Sequence, residues 1–434
     1  MRVLVIGSGG REHAICGAFK KSDRASRIYC ANGNAGIAEI AECVAIKPNS
    51  VNDLARFASE NRIDITFVGG EGPLAAGIVD KFESVGLPII GPTHSAARLE
   101  ASKAFAKEFM HRHQIPTAAH RTAESAEEAE TILRSGEFGD EMSPVVIKAD
   151  GLAAGKGVVV AKNRAEAIAA VSQLGEIAGK QAAARIVIEE FLEGPEVSQL
   201  LFVDGEHYAL TPPARDHKRI GEGDTGPNTG GMGTITGSEL LTEDQTRRIC
   251  REIIEPTLRG CREEGFPFRG VLFLGLMMAA DGPKVLEYNV RFGDPETQSI
   301  LIRLETDFVD ICEAILQGTL QNHAIKWRGG ASACVIMASA GYPLEPRTGD
   351  VITGIDAAAA LPNVRVFHSS TRRDDFGHYV TSGGRVLGVT AAADDRPSAL
   401  DLAYKGVSLI KWDGMQYRRD IGRTGQEIAD AKNG

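Results

Sequence analysis

The chain has 434 residues, of which 43% are apolar and 24% charged, with a formal net charge of −10. That length accommodates about three domains with sizeable cores, and the negative balance argues against a nucleic-acid partner, whose phosphates attract basic faces. The longest apolar run, Val271–Ala280, is too short to cross a bilayer, and seven scattered cysteines without a C-x-x-C pair fit the reducing cytoplasm rather than a disulfide frame or a zinc site.

The opening MRVLVIGSGG lacks the long apolar core and cleavage site of a signal peptide, so Val3–Ile6 reads as a buried strand. It runs into Gly7-Ser8-Gly9-Gly10-Arg11-Glu12 and a helix to about Lys20. Further strands are expected at Arg27–Cys30, Cys43–Ile46, Ile65–Val68 and Pro88–Ile90, with helices at Val51–Asn61 and Pro73–Ser84 between them. This alternation predicts a parallel sheet. The first turn is not a dinucleotide fingerprint: Glu12 stands where G-x-G-x-x-G needs glycine, and the second strand ends without an acid for a ribose hydroxyl. A strand-to-helix turn beside Arg11 still suits a single phosphate. Asn34 and the Gly69–Pro73 loop fall on the same rim, beyond the carboxyl ends of the strands. There Glu71 either meets a substrate hydroxyl or amine, or simply favours the start of the next helix.

Ala96–His113 reads as one amphipathic helix carrying Lys103 and Lys107, broken by Ile115-Pro116-Thr117. Ser125–Glu128 resembles a capping box. Then Val145–Ile147 and Val158–Ala161 flank a loop with Gly151, Gly155 and Gly157, and Lys148 and Lys156 sit at its edges. Glycines let backbone N–H groups converge on an anion, and two lysines make polyphosphate the simplest ligand. A strand follows Lys156 where a Walker motif requires a helix, so the loop is expected to cover a nucleotide as a lid. Arg185–Phe191 reads as a strand ending in Glu189, Glu190 and Leu192, with Glu196 beyond. Such a connector can hold adenine by its backbone and ribose by an acid, or can be a strand with surface glutamates.

Strands at Val197–Val203 and His207–Leu210 lead to Asp216-His217-Lys218-Arg219 and a glycine-dense stretch ending at Gly233, expected as one long substrate loop. A helix over Glu243–Glu264 precedes a hairpin, Val271–Ala279 and Lys284–Val290, turning at Asp281-Gly282. On its second strand Glu287 and Asn289 are two apart and share a face, offering hard oxygens to Mg²⁺. Arg291 follows on that face, suited to a carboxylate or phosphate oxygen. From Asn322 onward we expect strands at Ala333–Ala338, Val364–Phe367 and Val386–Thr390 and a helix near Ser398–Ile410.

Taken together, Gly7–His13, Lys148–Val158, Asp216–Arg219, Gly223–Gly233 and Glu287–Gln298 resemble the glycinamide ribonucleotide synthetases, the phosphoribosylamine–glycine ligases of the ATP-grasp superfamily, and the likeness continues to Trp412–Gly422. The resemblance implies an α/β protein: an N-terminal parallel α/β domain over residues 1–102, a two-lobed ATP-grasp domain over 103–322 with a lid lobe at about 117–191, and a C-terminal α+β domain over 323–434. It implies ATP-dependent joining of glycine to 5-phosphoribosylamine through glycyl phosphate, in purine synthesis. By position, Lys107, Lys148, Gly151, Gly155, Lys156 and Gly157 would hold the ATP phosphates, and Glu189, Glu190, Leu192 and Glu196 the adenosine. Glu287 and Asn289 would hold Mg²⁺ or Mn²⁺. Gly9, Gly10, Arg11, Glu12 and Asn34 would seat the phosphoribosylamine. Asp216, Lys218, Arg291 and Asp294 would surround glycine and the acyl phosphate. We expect a cytoplasmic monomer acting on small molecules, without a membrane or nucleic-acid partner.

Three departures from the family pattern stand out. The strand Val271–Leu276 lacks the second metal carboxylate common in ATP-grasp sites, leaving Glu296, Asp294, phosphates or water to complete the sphere. Gly70 and Gly72 flank Glu71 where proline and alanine are frequent, and His368-Ser369-Ser370 replaces a common His-Ala-Gly. The rival readings are a carboxylating ATP-grasp enzyme and a non-catalytic nucleotide sensor. The Gly9–Arg11 turn and the Asp216–Gly233 stretch disfavour the first, and the full set Lys148, Glu287, Asn289 and Arg291 disfavours the second.

Overall fold

A computed structural model describes residues 1–152, 157–179 and 182–423. Five strands, β1 (Arg2–Gly7), β2 (Arg27–Asn32), β3 (Glu42–Val44), β4 (Ile65–Val68) and β5 (Ile89–Ile90), form a parallel sheet in the order β3-β2-β1-β4-β5. Alternation along β1 sends Val3 and Val5 to one face and Leu4 and Ile6 to the other. Helix Gly10–Lys20, through Ile15 and Phe19, and helix Phe308–Gln317, through Phe308 and Ile311, cover the first face. Leu54, Ala58, Ile78 and Phe82 cover the second. Both faces are therefore buried, as a parallel sheet requires.

Four antiparallel strands make the lid lobe: β6 (His120–Ala123), β7 (Val145–Ala149), β8 (Val158–Ala161) and β9 (Ile186–Glu190), in the order β6-β9-β7-β8. The expected glycine hairpin is β7–β8, with Lys148 opposite Val158. Its core is separate, with Ile147 and Ile188 packing on Ala129, Leu133, Val171 and Leu174 from two helices.

The third sheet joins two parts of the chain. It contains β10 (Glu196–Asp204), β11 (Tyr208–Leu210), β12 (Ala214–Asp216), β15 (Gly233–Thr236), β16 (Arg269–Ala279) and β17 (Gly282–Asn289). It continues into β18 (Ala331–Ala338), β19 (Val364–His368) and β22 (Arg385–Ala393), because β15 pairs antiparallel with β18. The C-terminal segment thus extends the sheet that carries Glu287 instead of packing as a detached unit. Two small hairpins hang from the sheet, β13 (Arg219–Gly221) with β14 (Thr225–Asn228), and β20 (Thr371–Arg373) with β21 (Tyr379–Thr381).

Several elements differ from expectation for local reasons. The helix expected over Ala96–His113 divides at Ser102, giving His94–Ala101 and Lys103–Arg112. Ser102 is extended (φ −136°, ψ 113°), and its Oγ caps the second helix by accepting from the Phe105 N–H. That hydroxyl also donates to Asp150 at 2.9 Å, and Asp150 accepts from the Ala104 N–H at 2.8 Å. The kink therefore fastens the helix bearing Lys107 to the lid. The helix expected over Pro73–Ser84 begins earlier and splits into Glu71–Ala75 and Ile78–Ser84 around Gly77 (φ +77°). A wider turn, Cys250–Ile254, interrupts the Glu243–Glu264 helix just before Pro256, which has no N–H to donate.

The N- and C-terminal parts meet through two buried imidazoles. His13 Nδ1 accepts from the His368 backbone N–H at 2.9 Å, and the His368 ring bonds the Thr371 hydroxyl. Burial pushes the pKa values down to about 3 for His13 and about 4 for His368. The unfolded chain therefore takes up these protons first as pH falls through about 6.5. Their neutral packing is fully compatible with folding above that value and is lost progressively toward pH 4. At pH 5 each contributes about 2 kcal/mol of destabilisation relative to pH 7. His13→Asn should remove about half of this loss in denaturant melts at the two pH values; an unchanged loss would show that His13 does not control it.

Candidate active site

The cleft between lid and large sheet is closed at one end by a buried triad. Strand β9 carries Glu189 beside Lys148 of β7, since the two strands pair antiparallel. Glu189 Oε1 lies 2.9 Å from Lys148 Nζ, and Oε2 lies 3.1 Å from Lys107 Nζ. Burial opposes the charge on Glu189, but Lys148 and Lys107 outweigh it and hold the carboxyl below its ordinary range. Burial brings Lys107 down to about 8, against the pull of Glu189. Lys107 also donates to Thr117 Oγ1 and Lys148 to the Leu286 carbonyl, tying the triad to β17. With both lysines protonated, two cations face one anion, and the surplus positive charge suits a phosphate.

Beyond this triad the connector after β9 is apolar. Leu192, Ala118 and Met277 pack together with Leu286 and Ala279 against them. Glu190 is partly committed, its Oε1 accepting from the Ala119 N–H at 2.9 Å. Glu196, half-exposed, accepts from Lys218 Nζ at 2.9 Å. Of the lid loop, Gly151 donates its N–H to the Ala182 carbonyl, and the Gly157 carbonyl accepts from Ala149 N–H. Gly155 and Lys156 lie outside the described residues.

On β17 Glu287 and Asn289 share a face, as their spacing requires, and Glu287 pairs across the sheet with Gly275. A Cβ on Gly275 would stand 3.1 Å from Glu287 Cγ, so the neighbouring strand supplies no second carboxylate there. Burial opposes the charge on Glu287, yet Lys218, Lys148, Lys103 and Arg291 outweigh it and hold its pKa down. Arg291 Nη2 donates to Asn289 Oδ1 at 3.0 Å and to Glu100 Oε1 at 2.7 Å, while Nε lies 3.4 Å from Glu71 Oε2. Glu71 therefore both opens its helix and faces the site. Glu100 gave no sign in the sequence; it also accepts from the Val290 N–H, 190 residues away.

At the N-terminal turn Glu12 folds back beneath the glycines. Its Oε2 accepts from the Gly9 N–H at 2.6 Å and its Oε1 from Arg11 Nε at 2.7 Å. Glu12 is 2% exposed, so it shapes the turn from behind and takes up the Gly9 N–H, leaving the Gly10 backbone and Arg11 at the front of the turn. Asn34 is similarly spent on bracing: its Nδ2 donates to the Ser8, His368 and Ser369 carbonyls, and its Oδ1 accepts from Gly36 and Ile37 N–H. Arg11 Nη1 donates to the Phe292 carbonyl at 3.0 Å, and Arg291 Nη1 reaches the same oxygen at 3.1 Å. Asp294 lies against this turn, its Oδ2 3.3 Å from a Cβ built on Gly9.

The Asp216–Gly233 stretch is not one loop, because β13 and β14 form a hairpin within it. Asp216 is half-buried, and desolvation followed by the Glu296 charge pushes its pKa well above the ordinary carboxylate range. Gly231 (φ +108°) passes so close that an added Cβ would meet Asp216 Oδ1 at 2.7 Å and Pro295 Cδ at 2.6 Å. Glycine is required there on both counts. The sequence reading also passed over Arg385, on β22, which donates to the Gly230, Gly231 and Asp294 carbonyls, and over Arg418, which binds Asp420 and Asp224. Apart from Asp420, two residues from Arg418, their partners are distant in the chain and leave no local pattern. A separate cavity of about 470 Å³, lined by Met1, Asp64, Leu87 and Arg269 among others, lies at the amino ends of β1 and β4, away from this cleft.

Comparison with known proteins finds relatives over nearly the whole chain. Three family profiles match in sequence: the phosphoribosylglycinamide synthetase N domain over residues 1–100, its ATP-grasp (A) domain over 101–297 and its C domain over 332–424. The phosphoribosylamine–glycine ligase of Xanthomonas campestris is 46% identical over 97% of this chain and 97% of its own length. That of Pseudomonas aeruginosa is 47% identical, also over 97% of each. Among solved structures, the phosphoribosylamine–glycine ligase of Thermotoga maritima superposes with a TM-score of 0.84 at 33% identity, over 97% of this chain and 100% of that one. A biotin carboxylase domain from Hydrogenobacter thermophilus, solved with MgADP and bicarbonate, reaches 0.73 at 18% identity, over 96% of this chain and 91% of that one, and shares the fold alone. The chain belongs to the phosphoribosylglycinamide synthetase family.

Proposed function

We propose that the protein joins glycine to 5-phosphoribosylamine at the expense of ATP, forming glycinamide ribonucleotide, ADP and phosphate for purine synthesis. The observation that carries this reading is the shared Phe292 carbonyl, where Arg11 of the N-terminal turn and Arg291 beside the metal strand converge at 3.0 and 3.1 Å. It supports a reading in which the seat for the sugar phosphate adjoins the place where a carboxylate is phosphorylated. A carboxylase whose acceptor carries no sugar phosphate has no need of such a seat.

The residues divide the work along the cleft. Leu192 and the apolar side chains packed on it take the adenine, with Glu190 and Glu196 beside them. Lys148, Lys107 and the lid loop, Gly151, Gly155, Lys156 and Gly157 included, hold the phosphates. Glu287 and Asn289 fit a hard divalent cation, Mg²⁺ or Mn²⁺: the first is an ionised carboxylate with no hydrogen bond among the described residues, the second an amide oxygen on the same face. Bound there, such a cation supplies charge neutralisation for phosphoryl transfer. Among the described residues no group of three or more histidine, cysteine or acidic side chains is placed to hold a metal. Asp294 faces Arg385 and Gln298, and Glu296 faces Ser198, which leaves phosphate oxygens and water to complete the sphere.

Arg291 and Lys218 orient the glycine carboxylate and stabilise the charge of the glycyl phosphate, and Asp216 and Asp294 border the amine. The amine of phosphoribosylamine, held through its phosphate by Gly9, Gly10 and Arg11, then attacks the acyl carbon and phosphate departs. Positioning supplies most of the rate enhancement. All seven cysteines are free thiols, which supports a cytoplasmic setting, and we regard the enzyme as a monomer. Among the described residues no helix is long and apolar enough to cross a membrane. The test is ADP release measured with substrates omitted in turn: it should require both glycine and phosphoribosylamine. Release driven by bicarbonate would replace this reading with a carboxylase.

A further inference from the structure

Arg385 enters the site from the C-terminal segment, yet nothing in the reaction scheme above uses it. It opens β22, and its guanidinium joins three elements that the substrates must also meet. Nη1 donates to the carbonyls of Gly230 and Gly231, at the end of the substrate loop. The same nitrogen donates to the Asp294 carbonyl at 2.6 Å, and Nη2 lies 3.3 Å from the Asp294 carboxylate. Burial opposes the charge on Asp294, but Arg385 and then Arg11 hold the carboxyl below its ordinary range. Asp294 in turn presses on the Gly9–Gly10 turn, and its Oδ1 accepts from Gln298 Nε2 at 2.7 Å. Gly231 is wedged between Asp216 and Pro295. One side chain therefore fixes the spacing between the loop that borders glycine and the turn that seats the sugar phosphate.

The nucleotide end of the cleft has no such link. Lys107, Lys148 and Glu189 are braced by Thr117, Val285 and Leu286 instead. Loss of Arg385 should then disturb the meeting of amine and acyl group while leaving ATP where it was. We propose that Arg385 is a positioning residue that couples the glycine loop to the phosphoribosylamine seat, so that the C-terminal segment governs the amine-transfer half of the reaction. This inference rests on the ligase reading.

The experiment uses the full chain, with phosphoribosylamine formed in the assay from ribose 5-phosphate and ammonia. The unsubstituted enzyme is measured first; if it does not turn over, the ligase reading fails and the role of Arg385 fails with it. With an active parent, Arg385→Ala should raise the KM for phosphoribosylamine and lower kcat by a combined factor of about 100, since the charge-assisted contacts to Gly230, Gly231 and Asp294 are lost. The KM for ATP and the Kd for ADP by calorimetry should stay within twofold. Guanidinium ion added to this variant should restore part of kcat. Arg385→Lys, which keeps the cation but not the fork, should lose about tenfold and reports the same split should the alanine variant not fold. Parental kinetics in either variant, or an ADP affinity that falls in step with turnover, would overturn the proposal.

Discussion

Glu287→Ala is expected to lower kcat by about three orders of magnitude or more, at any magnesium concentration, while the protein stays folded. The carboxylate is the sole anionic oxygen on the metal-facing side of β17, because its cross-strand neighbour is Gly275. Losing it removes a direct ligand, and excess metal cannot replace a missing oxygen. Three orders of magnitude correspond to about 4 kcal/mol, the size of a lost metal-centred charge interaction in a transition state. The fold should survive because Glu287 is only half-buried and makes no hydrogen bond among the described residues. Its removal also leaves Lys218, Lys148, Lys103 and Arg291 without the anion they surround. ATP should therefore still bind, its phosphates taking over part of that role, and calorimetry would show retained nucleotide affinity beside lost turnover. Parental turnover in this variant would remove Glu287 from the metal site.

The features that could be read from sequence are those fixed by short spacings. Glu287 and Asn289 share a face because strands alternate, and Lys148 flanks a glycine hairpin whose two strands are adjacent in the chain. The parallel N-terminal sheet follows from alternating strands and helices. What escaped depends on side chains that meet only after folding. Glu100 holds Arg291 across 191 residues and Arg385 holds Asp294 across 91. Neither stands in a stretch with unusual composition. Asn34 and Glu12 stood out in the sequence as candidates for a phosphate seat, but what their side chains do was not legible. Their side chains are consumed in bracing the turn, and this depends on the carbonyls of Ser8 and His368 arriving at the same point. Ser102 is a further case, since its capping role needs Asp150 from the lid to break an otherwise continuous helical pattern.

Arg11→Ala should raise the KM for phosphoribosylamine by about 10- to 100-fold and that for ATP by less than threefold. Two of the guanidinium's nitrogens are taken: Nε by Glu12 and Nη1 by the Phe292 carbonyl. Nη2 makes no hydrogen bond to the described residues, and a Cβ built on Gly70 would stand 3.3 Å from it. That nitrogen is therefore available to a phosphate oxygen. A charge-assisted bond of this kind is worth about 1.5–3 kcal/mol, which sets the expected range. The backbone donors of Gly9 and Gly10 cannot compensate fully, because Gly9 already gives its N–H to Glu12. Arg11→Lys is expected to recover only part of the affinity: an ammonium can meet the phosphate or the Phe292 carbonyl, but it cannot span Glu12, Phe292 and the ligand together. The contrast between substrates decides the matter. On the proposed reading ATP binds on the far side of Glu287, held by Lys107 and Lys148, so equal losses for both substrates would mean that Arg11 holds up the whole cleft and that the sugar phosphate binds elsewhere.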